Sequence, residues 1–219
     1  MTTLLVLAKE PVPGRVKTRL VPPCTPEEAA AVAGAALRDT LAAVLAVPGV
    51  RPLLVLDGKP PGWLPVGLPV VAQVPGGLDV RLAAAFAAAA GGPALLVGMD
   101  TPQVTAELLA SAVGLLGSRD AVFGPAADGG WWALGLARPE PALLRGIPTS
   151  RADTGALQRA RLVGAGLAVA DLPVLRDVDT AEDAEAVAAL APRSAFAQTW
   201  TRVHARVRSA AFPSATRTA

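Results

Sequence analysis

The sequence predicts a single-domain α/β fold with a mostly parallel central sheet that is flanked by helices on both faces. The chain has 219 residues, of which 52% are hydrophobic and 17% charged, and this composition suits one domain with a large buried core. Short apolar runs alternate with helical segments of about ten residues or more, which predicts right-handed crossovers between parallel strands. The runs are apolar on both faces, as strands covered on two sides by helices are.

The predicted elements follow one another in regular alternation. Strands are predicted at residues 4–8, 52–56, 68–74, 94–98, 121–123, 131–136 and 167–172. Helices are predicted at residues 26–47, 80–90, 106–116, 155–164 and 195–207, with one more after Thr180. Two helix starts carry capping boxes, Thr25 with Glu28 and Thr180 with Asp183. Ligands bind beyond the carboxyl ends of the strands in such sheets, so residues just after strands are candidates for function.

The chain divides into residues 1–192, the predicted domain, and residues 193–219, a predicted basic C-terminal helix and flexible tail. The formal charge is +2, but five arginines and no carboxylates lie beyond residue 192, so the domain itself is acidic. The basic end matches no recognition motif, and we do not expect nucleic acid as a partner.

The apolar content excludes some classes of protein. No stretch reaches the ~20 apolar residues of a membrane span, and the run at residues 4–8 predicts a first strand rather than a signal peptide. The single cysteine, Cys24, fits a reducing compartment, so we expect a cytoplasmic protein. With one histidine and one cysteine a zinc cluster is excluded, and any metal must bind carboxylates.

The loop after the first strand, residues 9–19 (KEPVPGRVKTR), predicts an anion site. It holds four cations, and Gly14 and two prolines shape its turn. Side-chain donors and exposed backbone N–H groups of this kind can surround a phosphate chain. The spacing is neither that of a Walker loop nor that of a dinucleotide fingerprint. A solvated basic loop is the alternative interpretation.

Carboxylates follow two other predicted strands. Asp100 comes just after the strand at residues 94–98. Asp177 and Asp179 point the same way if their segment is extended. If Asp179 approaches Asp100, the two carboxylates repel by roughly 1 to 4 kcal/mol unless a cation lies between them. Mg²⁺ or Mn²⁺ would reverse that repulsion, with phosphate oxygens and water completing the coordination. Each aspartate could instead be an ordinary turn or loop residue.

The segment GPAADGGWW at residues 124–132 joins two predicted strands. Asp128-Gly129 is a common hairpin sequence, which explains part of it. A hairpin explains the adjacent tryptophans less well, because one of two neighbouring strand residues must face away from the core. We therefore predict an acceptor pocket at Gly129, Gly130 and Trp131, with Asp128 orienting or deprotonating the attacking group.

Together these motifs resemble the glycosyltransferase-like transferases, associated with radical-SAM and selenodomain proteins, that have the nucleotide-diphospho-sugar transferase (glycosyltransferase A) fold. The resemblance covers residues 4–190 and rests on residues 8–20, 98–102, 124–130 and 177–180. The first motif is also similar to that of phospholactate guanylyltransferases. The second and fourth are similar to the metal-binding aspartates of sugar-acid cytidylyltransferases.

The resemblance implies roles for particular residues. Asp100 and Asp179 would bind Mg²⁺ or Mn²⁺, and Lys9, Lys17 and Arg19 would bind phosphate. Apart from the resemblance, we expect Gly14 to contribute to the same phosphate loop, and Lys17 and Asp128 to be the catalytic side chains. The chain departs from the family at the tryptophan pair, at Met99 and at residues 77–81, where a second glycine is absent. These departures concern the acceptor and the base.

Three functions stay open. The leading one is nucleotidyl transfer, in which a phosphorylated or hydroxyl acceptor attacks a nucleoside triphosphate and pyrophosphate leaves, because the dense basic loop suits a triphosphate. The second is glycosyl transfer from a nucleotide-sugar. The third is a nucleotide-binding module without catalysis.

Overall fold

The computed structural model describes residues 1–89 and 91–211 and contains a seven-stranded sheet in the order β3-β2-β1-β4-β6-β5-β7. The strands are β1 (Thr2–Lys9), β2 (Val50–Asp57), β3 (Val70–Ala72), β4 (Ala94–Gly98), β5 (Ala121–Pro125), β6 (Trp131–Leu136) and β7 (Val169–Asp171). β6 is antiparallel to both of its neighbours, and every other pair is parallel. The predicted mostly parallel sheet is confirmed.

Six α-helices accompany the sheet in the part of the chain that the structure describes. They are α1 (Pro26–Leu45), α2 (Leu78–Ala88), α3 (Ala106–Leu115), α4 (Thr154–Gly164), α5 (Ala181–Leu190) and α6 (Ala195–Ala211). Both predicted capping boxes are present at the starts of α1 and α5, where the threonine hydroxyl accepts the backbone N–H three residues later. The tail predicted beyond α6 falls on residues 212–219, outside the described residues.

Helices cover both faces of the sheet, as predicted. On one face, Leu37 of α1 and Leu109 of α3 pack against the β-strands. On the other face, Phe86 of α2 and Leu162 of α4 do so. A third cluster lies on the outer side of α1, where α5 and α6 contribute buried side chains such as Trp200. The C-terminal helix is therefore packed on the domain through α1 and α5.

This topology gathers the candidate residues at one edge of the sheet. β1 and β4 are parallel neighbours, so their carboxyl ends, at Lys9 and Gly98, lie side by side. The antiparallel β6 begins at the same edge with Trp131. Within the described residues, no helix is both long and apolar enough to cross a membrane.

Candidate active site

A cleft of about 870 Å³ opens at this edge of the sheet. Its walls include most of the residues that the sequence predicted to carry chemistry. These are the cations Lys9, Lys17 and Arg19, the carboxylates Asp100, Asp128, Asp177 and Asp179, and Gly130 with Trp131. Loops separated by up to 170 residues of sequence thus form one polar cavity.

The Lys17 ammonium group lies at the centre of the carboxylates. Its Nζ is 2.5 Å from Asp100 Oδ1 and 3.6 Å from Asp179 Oδ1, and it also donates to the Val178 carbonyl. The Lys17 side chain is 7% exposed, against 44% for Asp100 and 37% for Asp179. The backbone of Lys17 is left-handed, with φ 48°, immediately before the 3₁₀ turn Thr18–Leu20. The lysine therefore bridges the two aspartates that the sequence assigned to a metal.

The charges in this cluster control each other's protonation. Burial alone would lower the pKa of Lys17, but the carboxylates of Asp100, Asp179 and Asp177 outweigh burial and raise the pKa above its usual value. Burial, together with the neighbouring charges of Asp100, Asp128 and Asp179, raises the pKa of Asp177 to about 7. The cluster has more negative than positive charge around Asp177, and a further cation would be stabilised there.

The segment that carries Asp177 and Asp179 is held in place by the residue between them. The Val178 side chain is buried in the cluster formed with α1, α5 and α6. Its backbone N–H donates to the Asp100 carbonyl at 2.9 Å. Because Val178 points into the core, both aspartates face the cleft, as an extended segment predicts.

The remaining residues of the basic loop surround this centre unevenly. Arg19 is 73% exposed, and its Nη1 lies 2.9 Å from Asp179 Oδ2. Lys9 ends β1 with an exposed side chain, and its backbone N–H donates to Met99 Sδ at 3.2 Å. Gly14 has φ 75° and shapes the turn, but it is not among the residues that line the cleft.

The carboxylates suit a hard divalent cation. Asp177 Oδ1 is buried without a hydrogen-bond partner among the described residues, which is costly unless a cation or proton is nearby. Asp100 and Asp179 present oxygen ligands, the kind that Mg²⁺ and Mn²⁺ prefer. Within residues 1–89 and 91–211, no three His, Cys, Asp or Glu side chains are arranged to hold a metal by themselves. A metal would therefore need phosphate and water oxygens to complete its coordination, as Mg²⁺ commonly does.

The β5–β6 hairpin forms another part of the cleft wall. Asp128 Oδ1 accepts the N–H of Gly130 at 2.8 Å, which fixes the carboxylate at the tip of the hairpin. Trp131 lines the cleft, whereas Trp132 is 2% exposed and its indole N–H donates to the Pro173 carbonyl. The two tryptophans thus face opposite sides, as the strand period predicts.

Gly129 differs from its predicted place in the acceptor pocket. It is not among the residues that line the cleft, and an added Cβ would lie 1.9 Å from the Ala152 carbonyl oxygen. Its own carbonyl accepts the N–H of Gly155 at 2.8 Å. Gly129 therefore joins the hairpin to the loop before α4, and the neighbouring Gly130 and Trp131 face the cavity.

The cleft also contains polar residues that were not predicted from the sequence. Gln73 follows β3, and its amide donates to the carbonyls of Ala8 and Val55 at 2.7 and 3.1 Å. Arg81, on α2, lines the cleft 2.8 Å from the Asp57 carboxylate. Arg151, before α4, also lines it. Gln73 could have been found by its place after a strand, whereas no pattern in the sequence marks Arg151.

Comparisons with known proteins identify the family of this chain. Residues 31–151, more than half of the chain, match the model of the family described as "Uncharacterized protein conserved in bacteria (DUF2064)". The chain belongs to the DUF2064 family. Curated protein sequences gave no match to this member of the family.

Solved structures show the fold of this DUF2064 protein in other proteins. It is similar to a "putative nucleotide-diphospho-sugar transferase" from Desulfovibrio desulfuricans G20, with TM-score 0.87, 26% identity, and 95% of this chain and 97% of that chain covered. It is also similar to CMP:2-keto-3-deoxy-manno-octonic acid synthetase in complex with CTP, with TM-score 0.58, 12% identity, and coverage of 88% and 98%. The third is Rv0371C of Mycobacterium tuberculosis H37Rv in complex with manganese, with TM-score 0.50, 24% identity, and coverage of 85% and 96%. The nucleotide-diphospho-sugar transferase fold predicted from the four motifs is confirmed.

Proposed function

We propose that the protein is a nucleotide-utilising transferase, and specifically a metal-dependent nucleotidyltransferase. A small phosphorylated or hydroxyl acceptor would attack the α-phosphorus of a nucleoside triphosphate, and pyrophosphate would leave. The observation that carries the proposal is the single cleft in which the cations Lys9, Lys17 and Arg19 meet the carboxylates Asp100 and Asp179. The negative phosphate groups of a triphosphate would complement the cations, and its divalent metal would complement the carboxylates.

The cationic side of the cleft would bind the phosphate chain. Lys17, Arg19 and Lys9 can donate to phosphate oxygens and offset the charge that develops as pyrophosphate departs. Arg15 lines the same cleft and would extend this positive field, whereas the charge of Arg81 is balanced by Asp57. The fold is shared with the CTP complex of a synthetase, which supports placing a nucleotide at this edge of the sheet.

Asp100 and Asp179 would hold Mg²⁺ or Mn²⁺. The unpartnered Asp177 oxygen beside them and the similarity to a manganese complex support this assignment. A bound divalent ion supplies charge stabilisation to the transferring phosphoryl group. Asp177 borders the same centre, and a cation bound there would favour its charged form and so lower its raised pKa.

The part of the cleft wall formed by the β5–β6 hairpin would bind the acceptor. Asp128 is fixed by the Gly130 N–H and borders the cleft, so it is placed to orient the attacking group or to take its proton. Trp131 offers an aromatic surface beside it, and Arg151 offers a positive charge.

We also propose that the protein is cytoplasmic. This proposal rests on the single cysteine of the sequence, which fits a reducing compartment.

Glycosyl transfer is the second candidate, and one finding favours it. The Desulfovibrio protein, 26% identical over nearly the whole chain, is named as a putative nucleotide-diphospho-sugar transferase. The same carboxylates and cations would then stabilise a departing nucleoside diphosphate.

The two reactions differ in their products. Incubation with each nucleoside triphosphate or nucleotide-sugar, Mn²⁺ and a panel of phosphorylated and hydroxyl acceptors should release pyrophosphate from a triphosphate. Asp128→Asn should lower kcat while nucleotide binding persists. Release of free nucleoside diphosphate from a nucleotide-sugar would instead establish glycosyl transfer. Binding without either product across the panel would leave a nucleotide-binding module without catalysis.

A further inference from the structure

The carboxylates assigned to the metal already have cationic partners from the chain itself. Lys17 Nζ contacts Oδ1 of both Asp100 and Asp179, and Arg19 contacts Oδ2 of Asp179. Three of the four oxygens of this aspartate pair are thus engaged by side-chain cations. A divalent ion that uses both residues would compete with at least one of these contacts for a carboxylate oxygen.

Lys17 occupies this position more firmly than Arg19. Its side chain is 7% exposed and also donates to the Val178 carbonyl, whereas Arg19 is 73% exposed. An ammonium group and a divalent ion held by the same two carboxylates would be only a few Å apart, where like charges repel strongly. Both cations cannot use Asp100 Oδ1 in the manner that the structure shows for Lys17.

We propose that Lys17 is a resident cation that neutralises the Asp100–Asp179 pair in the nucleotide-free protein and must leave it before a divalent metal binds there. Resting on the proposed function, the inference extends to the nucleotide, whose phosphate groups offer the displaced ammonium a new anionic partner. Metal alone then binds weakly, and metal and nucleotide strengthen each other's binding. Thermodynamic linkage requires this strengthening to be reciprocal.

The location of Lys17 allows such an exchange. It lies in the loop between β1 and α1, and its four-carbon side chain carries a point charge with rotatable donors. The oxygens of Asp100 and Asp179 are partly exposed, so a metal can reach them from the cleft while the ammonium moves toward a phosphate. Lys17 would therefore act in two places, with the carboxylates before the nucleotide binds and with its phosphates afterwards.

The first test measures Mn²⁺ binding without nucleotide, by the loss of the free-ion signal in electron paramagnetic resonance. Lys17→Met removes the resident charge and nearly keeps the length of the side chain, and it should bind Mn²⁺ at least about tenfold more tightly than the wild type. Arg19→Met is the matched control, because it also removes one cation paired with Asp179, and its gain should be clearly smaller. Equal or weaker binding by Lys17→Met, or an equal gain in Arg19→Met, would overturn the proposal.

A second variant protects the test against misfolding. Lys17→Gln keeps a hydrogen-bond donor without the charge and should show the same gain in Mn²⁺ affinity if Lys17→Met does not fold. Mn²⁺ should also raise the melting temperature of either variant more than that of the wild type. A smaller rise than in the wild type for the folded variants would count against the proposal.

Nucleotide is added only in the last step. A non-hydrolysable nucleoside triphosphate analogue should increase the Mn²⁺ affinity of the wild type more than that of Lys17→Met, because only the wild type has a resident ammonium to displace. An equal increase would contradict the exchange. If no analogue binds the wild type, the proposed function fails, while the measurement without nucleotide still decides whether Lys17 blocks the metal.

Discussion

Gly129→Ala should be among the most destabilising single-methyl changes in the site wall. The residue has φ 88°, a left-handed conformation that costs an alanine about 1–2 kcal/mol. The added Cβ would also lie 1.9 Å from the Ala152 carbonyl oxygen, so the hairpin and the loop before α4 must separate. That separation breaks the hydrogen bond from Gly155 to Gly129, worth about 1 kcal/mol, and we expect a total loss of about 2–3 kcal/mol.

Gly67→Ala is the matched control, because Gly67 has φ 83° and nothing within 4 Å of an added Cβ. It should lose only the conformational term, about 1–2 kcal/mol. Thermal unfolding resolves the two, since 1 kcal/mol shifts the melting temperature of a chain of this size by about 2–4 °C. A melting temperature for Gly129→Ala equal to that of Gly67→Ala would refute the close contact between the two loops.

Three other changes test separate parts of the account. Asp100→Asn should lower kcat/KM at least about tenfold, because even residues that only hydrogen-bond to metal ligands contribute about that much. Its circular dichroism spectrum should match that of the wild type. Trp132→Phe should lower the free energy of unfolding in urea by about 1–3 kcal/mol, because the Pro173 carbonyl loses its donor. Arg206→Met removes the partner whose hydrogen bond is the main cause of the lowered pKa of Glu28. A carboxyl group whose pKa is lowered by folding stabilises the fold at pH values above its usual pKa of 4.5, and this stabilisation is lost as the pH falls. Calorimetry should therefore show a lower melting temperature for the variant than for the wild type at pH 7, and the two values should converge in acid.

The central strands could be predicted closely from the sequence, and the edge strands less so. The bounds of β4 and β6 equal the predicted residues 94–98 and 131–136, because both strands are apolar on two faces and each begins directly after a proline or glycine. β3 pairs only with β2 and extends over Val70–Ala72, whereas the apolar run predicted residues 68–74. At an edge, apolar residues can pack on the core beyond the point where the ladder ends.

The site could be predicted in its parts but not in its connections. Asp100 was identifiable because it comes just after a strand of the parallel sheet, where ligands collect. Asp179 was identifiable from its alternation with Asp177 and from the family resemblance. The bridge from Lys17 to Asp179 spans 162 residues and depends on the turn before Thr18, for which the sequence offers no local pattern. The contact of Gly129 with Ala152 likewise depends on how two loops pack together.

The decisive measurement is thermal unfolding of the wild type and of Asp100→Asn, each with and without nucleotide and metal. It tests whether the cleft binds a nucleotide together with a divalent ion. A nucleoside triphosphate with Mn²⁺ at about 100 times its dissociation constant should stabilise the fold by about 2.7 kcal/mol. For a chain of this size that corresponds to roughly 5–11 °C in melting temperature. We expect a shift that needs the metal, is largest with one nucleotide and is lost in Asp100→Asn. No shift with any nucleoside triphosphate or nucleotide-sugar would contradict it.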